Sequence, residues 1–207
     1  MADLKALSEA LIKGDRAAVV KLTEQALSEG ASPAEVLNKG LIAGMEIVGT
    51  RFKASEIYVP EVLIAARAMK GGMEVLDPHL RAAGVQPIAT VVLGTVKGDL
   101  HDIGKNLVSM MLTGGGLKVV DIGIDAAAEK FVDACKTHNA NLCAMSALLT
   151  TTMPQMATVV QAIKGAGVAA KTMIGGAPVT QAYADQIGAD GYAADAASAV
   201  DLAKSLL

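Results

Sequence analysis

Along the first eighty residues apolar positions recur at helical spacing, as in Leu4, Leu7, Leu11 and Ile12, then Val19, Val20, Leu22 and Leu27, which places them on one face of successive helices. The run predicts helix from residue 3 to about 80, broken at Lys13-Gly14-Asp15, at Glu29-Gly30-Ala31-Ser32-Pro33 and at Lys53-Ala54-Ser55. Ser32 reads as an N-cap with Pro33 at the first helical position. Three breaks make about four helices. Asp77-Pro78 and Ala83-Gly84-Val85-Gln86-Pro87 then punctuate the chain, and beyond them the pattern changes.

After Pro87 short apolar runs alternate with helical segments: Ile88 to Leu93, then a helix from about Ile103; Leu117 to Ile122, then a helix around Ala127 to Cys135. Further runs follow at Leu142 to Met145, at Thr172 to Ile174 and, more weakly, near Gly191-Tyr192. Strands that alternate with helices predict a parallel sheet, because parallel neighbours need a crossover connection. The expected architecture is α/β: an N-terminal four-helix bundle over residues 1–86, then a Rossmann-like, doubly wound, five-stranded parallel sheet over residues 87–207. Ligands of such sheets bind beyond the carboxyl ends of the strands, which directs attention to the loops there.

Composition narrows the classes of function. Hydrophobic residues make up 52% of the 207, ample for a core, and with 2% aromatics and no Trp that core must come from Ala, Val, Leu, Ile and ten Met. A net charge of −3 with scattered Lys and Arg lacks the basic stripe of a nucleic-acid binder. Met1-Ala2-Asp3-Leu4-Lys5 lacks the form of a signal peptide, and no apolar run reaches the length of a membrane span. The expectation is a cytoplasmic protein with neither nucleic acid nor membrane as partner. Cys135 and Cys143 have neither CxxC spacing nor His neighbours set for zinc, and read as reduced core thiols.

The loop after the first strand is Gly94-Thr95-Val96-Lys97-Gly98-Asp99-Leu100-His101-Asp102-Ile103-Gly104. Imidazole is the commonest nitrogen ligand to a transition metal, and a carboxylate on its other ring nitrogen fixes the tautomer; Asp99, two residues before His101, is placed for that. By itself the loop fits a solvated histidine equally well. The third strand runs into Ser146-Ala147-Leu148-Leu149-Thr150-Thr151-Thr152-Met153-Pro154, four hydroxyls within seven residues, among which Thr152 also reads as an N-cap before Pro154. The fourth ends at Gly175-Gly176, where a backbone can approach a flat or phosphorylated group. No GxGxxG or GxxxxGK[ST] fingerprint follows the first strand.

In order and spacing, Asp99-x-His101-x-x-Gly104, Ser146-x-Leu148 and Gly175-Gly176 resemble the three-part signature of cobalamin-binding domains. Upstream, Gly49-Thr50-Arg51-Phe52-Lys53, Tyr58-Val59-Pro60-Glu61-Val62 and Ala65-Ala66-Arg67-Ala68-Met69 look like the four-helix cap of methionine synthase and of the small corrinoid proteins of anaerobic methyltransferase systems. The resemblance implies cobalamin or a related corrinoid as cofactor, with His101 as the lower axial ligand to its cobalt in place of the dimethylbenzimidazole tail. It implies Asp99 as the acceptor behind His101, and Thr152, where methionine synthase has Ser, as the next hydroxyl in the relay. Gly98, Asp102, Ile103 and Gly104 would flank the ligand. Ser146, Leu148 and Thr150 would line the slot for the tail, Gly175 and Gly176 would border it, and Tyr192 would lie near its far end. Phe52 and Val59, the latter a Leu in methionine synthase, would shield the upper corrin face.

The resemblance covers essentially the whole chain, and the large additional domains of methionine synthase have no counterpart here. A free-standing cap plus cobalamin domain looks like a corrinoid shuttle. Its implied role is to take a methyl group from a substrate-specific methyltransferase and deliver it through a second methyltransferase to an acceptor such as tetrahydrofolate or a thiol, with a reductive activation protein as third partner. The alternatives are a cobalamin-responsive sensor, which would need a signalling or DNA-binding module, and the small subunit of an adenosylcobalamin mutase, which usually lacks the cap.

Overall fold

In the computed structural model, which describes residues 2–207, aspartates open the first two helices. The Asp3 carboxylate accepts the Ala6 N–H at 2.9 Å at the start of α1 (Leu4–Ile12), and Asp15 does the same for Ala18 at the start of α2 (Arg16–Ser28). Each satisfies an amide with no partner inside the helix. Ser32 caps α3 by accepting the Glu35 N–H at 3.2 Å, with Pro33 in the first turn. This helix runs unbroken through Pro33–Glu35, a π-helical stretch Val36–Ile42 and Ala43–Lys53. A fourth, α4 (Val59–Ala82), continues through Pro78. The expectation that Asp77-Pro78 punctuates the chain therefore fails: Leu76 and Leu80, buried on either side of the proline, anchor both halves, so packing outweighs the one backbone bond that Pro removes. Leu7, Leu11, Val19, Leu41, Val62 and Leu76 are fully buried.

The strands are β1 (Thr90–Thr95), β2 (Lys118–Asp121), β3 (Leu142–Ser146), β4 (Lys171–Gly175) and β5 (Gly191–Ala193). All pair in parallel, in the order β2-β1-β3-β4-β5. Between and after them lie α5 (Ile103–Gly114), α6 (Ala128–Thr137), α7 (Pro154–Gly165), α8 (Gln181–Ile187) and α9 (Ala196–Ser205). β1 starts two residues later than its apolar run, because pairing with β2 begins at Thr90 and Ile88 stays exposed. On one sheet face Val92, Phe131, Cys135, Cys143, Met156, Val160 and Ile163 share a core; Val91 and Leu93, also buried, point to the other face by the two-residue period of a strand. Burial on both faces explains why these strands read as continuous apolar runs.

The chain divides into two compact units: one runs to Pro87 and includes Gly114–Gly116, the other consists of Ile88–Thr113 and Leu117–Leu207. Among the described residues no helix is long and apolar enough to cross a membrane.

Candidate functional site

The sheet register sets four strand ends abreast: Thr95 pairs with Ser146, Ser146 with Gly175, and Gly175 with Ala193. From β1 the chain steps one way to β2 and then back across to β3. The reversal makes the carboxyl ends of β1 and β3 the switch point, where open α/β sheets bind ligands.

From β1 the Val96 N–H donates to the Ser146 carbonyl at 3.1 Å, and the Val96 carbonyl accepts the Asp99 N–H at 3.2 Å. The second bond closes a turn with Gly98 at φ +81°, a left-handed conformation that a side chain would strain. The turn buries Asp99 completely. Asp99 Oδ1 accepts the His101 N–H at 3.1 Å and lies 2.7 Å from His101 Nδ1. Its Oδ2 accepts the Leu148 N–H at 2.8 Å and the Thr152 hydroxyl at 2.7 Å. The buried Thr95 hydroxyl donates to the His101 carbonyl at 2.9 Å.

Burial alone would raise the Asp99 carboxyl, but the donors from Leu148, Thr152 and His101 overcome it and hold the group well below the usual carboxylate range. An ionised carboxylate only accepts, so Nδ1 carries the ring proton, and in the neutral ring Nε2 keeps its lone pair. The His101 side chain is 50% exposed.

Of the residues read from the sequence, Gly98, Asp99, His101, Leu148 and Thr152 meet in this network. Thr152 does not cap α7: Met153 holds that position without a side-chain cap, because the threonine hydroxyl turns to the stronger, charged acceptor. Asp102 directly precedes α5 and accepts from Asn106 Nδ2 at 3.0 Å. Ile103 is 78% exposed, and a Cβ at Gly104 would meet nothing within 4 Å. Ser146 ends β3 half-buried, and Thr150 is exposed outside the network. A Cβ at Gly176, whose φ is +136°, would fall 1.9 Å from the Ala147 carbonyl oxygen, and one at Gly175 would fall 3.0 Å from the Ala193 carbonyl oxygen. These glycines let neighbouring strand ends converge. Tyr192, on β5, packs against the core. Phe52 and Val59 lie in the helical unit, in the last turn of α3 and at the start of α4, each half-buried. Thr95 and Asp125, both bonded to this loop, were not singled out in the sequence; a hydroxyl closing a buried strand and an isolated aspartate carry no motif.

The family profile described as B12 binding domain matches residues 89–201, and a second profile of the same description matches residues 3–77. The chain belongs to the B12-binding family. It is 44% identical to trimethylamine corrinoid protein 2 of Methanosarcina mazei, over 93% of this chain and 90% of that one. It is also 44% identical to dimethylamine corrinoid protein 1 of the same organism, over 99% and 95%. Among solved structures it resembles the methanol:cobalamin methyltransferase complex MtaBC from Methanosarcina barkeri, with a TM-score of 0.86 and 30% identity over 98% of this chain and 78% of that one.

The residues at the strand ends fit the family's corrinoid. The loop offers one imidazole, half-exposed and held at Nδ1 by Asp99, a donor suited to a metal whose other positions a macrocycle fills. Around it Leu100, Ile103, Leu148 and Leu149 expose apolar surface, and the space beside Gly104 is open, as a broad, largely apolar ring requires.

Proposed function

We propose that the chain is a corrinoid-dependent methyl carrier, with residues 1–86 as its cap and residues 87–207 as its corrinoid-binding domain, working in the cytoplasm between two methyltransferases. When bound, the corrinoid would supply the cobalt chemistry for moving a methyl group from the substrate-specific partner, through the second, to an acceptor such as tetrahydrofolate or a thiol. His101, with Nδ1 held by Asp99, would hold the cobalt through Nε2. Asp99 holds the proton on Nδ1: taking it up at Oδ1 would forfeit the stabilisation that the three other donated hydrogen bonds give its charge. Thr152 keeps Asp99 ionised and in place. Gly98, Asp102, Ile103 and Gly104 border the ligand, Ser146, Leu148 and Thr150 receive its nucleotide tail, Gly175 and Gly176 edge that slot, and Tyr192 closes it. Phe52 and Val59 shield the opposite face of the ring. A reductive activation protein completes the set of partners.

The observation that carries this reading is the buried, fourfold hydrogen-bonded Asp99 behind a half-exposed imidazole. Partner methyltransferases are supported by the likeness to a methyltransferase complex. Relatives of equal identity are named for different amines, which supports a partner, not the carrier, as the selector of the methyl donor. The test is reconstitution with hydroxocobalamin, reduction to cobalt(II) and spin-resonance spectra of wild type and His101→Ala. Wild type should bind the corrinoid and show coupling to a histidine nitrogen, lost in the variant. Absence of binding overturns the reading.

A further inference from the structure

Asp125 follows β2 and lies outside every assignment made above, yet it bonds twice to the loop that carries His101. Its Oδ1 accepts the Gly98 N–H at 2.7 Å, and its own N–H donates to the Asp99 carbonyl at 3.1 Å. The grip is reciprocal, and it bridges residues 27 apart in the chain. Asp125 makes it from φ +49°, a left-handed conformation that costs a side chain energy and that glycine would adopt freely. A carboxylate kept against a backbone cost points to a use for the carboxylate.

The platform beneath Asp125 is fixed. Ile122 N–H donates to the Leu93 carbonyl, Thr95 N–H to the Gly123 carbonyl and Ala126 N–H to the Thr95 carbonyl, each at 2.9 Å. Asp121 accepts the Gly123 N–H at 2.8 Å through one oxygen and pairs through the other with the buried Lys105 ammonium in the first turn of α5. The loop after β2 is thereby tied to β1 and to the helix that follows His101. Two of the three bonds made by His101 itself go to Asp99, so a shift of the Asp99 backbone carries the imidazole with it.

We infer that Asp125 is a positioning residue: it clamps the Gly98-Asp99 peptide to the end of β2 and so sets the pose in which His101 meets the cobalt. The inference rests on the reading of His101 as the axial ligand. Three variants separate the carboxylate from the backbone strain. Asp125→Asn keeps an acceptor oxygen and tolerates the conformation, Asp125→Gly loses the acceptor and relieves the strain, and Asp125→Ala loses the acceptor and keeps the strain.

Two readouts apply. In the protein without cofactor, the Gly98 amide proton resonance should lose its hydrogen-bonded shift in the glycine and alanine variants and keep it in the asparagine variant. In protein loaded with hydroxocobalamin and reduced to cobalt(II), the ratio of histidine-coordinated to uncoordinated cobalt should fall about tenfold in the glycine and alanine variants, the scale of one charge-assisted hydrogen bond, and recover in the asparagine variant. Thermal melts identify any variant that fails to fold; the glycine variant, free of strain, then decides. A glycine variant with wild-type coordination overturns the clamp alone. Wild type labelled with nitrogen-15 histidine whose cobalt(II) signal shows no coupling to the label overturns the ligand reading, and the clamp with it.

Discussion

Thr23 and Thr152 are both buried threonines, but Thr23 donates to the Val19 carbonyl four residues back, at 2.8 Å, while Thr152, besides the Leu149 carbonyl at 2.9 Å, reaches the Asp99 carboxylate 53 residues away, at 2.7 Å. The contrast extends through the two units. In the helical one, Asp3, Asp15, Ser32 and Thr50 bond to groups three or four residues away; at the strand ends, Asp125, Leu148 and Thr152 reach 27, 49 and 53 residues. A helix satisfies its polar side chains with its own backbone. A parallel sheet gathers distant loops at one edge, and there a buried charge can be held by donors from several of them. Loss of a side chain in the first setting removes one local bond, whereas in the second it strands a charge or its donors.

That difference sets an order of effects. The largest is expected for Gly176→Ala, because the new Cβ would collide with the Ala147 backbone and neither main chain can yield; denaturant melts should show a loss of at least about 3 kcal/mol, and a variant within 1 kcal/mol of wild type would mean that the strand ends do not converge as described. Asp99→Ala comes next, at about 2–3 kcal/mol, since it takes the acceptor from the Leu148 amide and leaves the buried Thr152 hydroxyl only the Leu149 carbonyl. Thr152→Val should cost about 1.5–3 kcal/mol and Thr152→Ser far less, while Thr23→Val should cost at most about 1 kcal/mol; equal costs for the two valine variants would erase the comparison. Removing Arg16, whose exposed ion pair with Glu74 spans 2.9 Å, should change stability by about 0.5 kcal/mol or less.

Acid titration sharpens the same contrast. The Asp99 carboxyl is depressed in the folded chain, so its contribution is fully present above the ordinary aspartate value of about 4 and is lost as pH falls below that toward the folded value. Stability of wild type should therefore drop on acidification below about pH 5, and Asp99→Asn should flatten that limb. An unchanged slope in the variant would show that Asp99 is not the group responsible.

Much of the architecture was legible because it rests on local pattern. The three helix breaks and the Ser32-Pro33 start follow from capping and propensity, and the five strands follow from runs too short for helices and buried on both faces. Pro78 was misread because its local cost is visible in the chain while the burial of Leu76 and Leu80 that offsets it is not. Thr152 was legible both as a cap and as a partner of Asp99, and only the tertiary structure shows that its hydroxyl goes to the Asp99 carboxylate and does not cap α7.

The sequence by itself determined that a helical half precedes an alternating α/β half, and that a histidine, a hydroxyl-rich segment and a glycine pair follow the first, third and fourth strands. It did so because periodicity and turn chemistry act over a few residues. Only the tertiary structure decided which groups meet. The order β2-β1-β3-β4-β5 brings the loops of β1, β2 and β3 to one edge, where Asp99 is held from the Leu148 amide and the Thr152 hydroxyl and its own backbone from Asp125. Such contacts depend on chain crossing and register, which no window along the sequence contains.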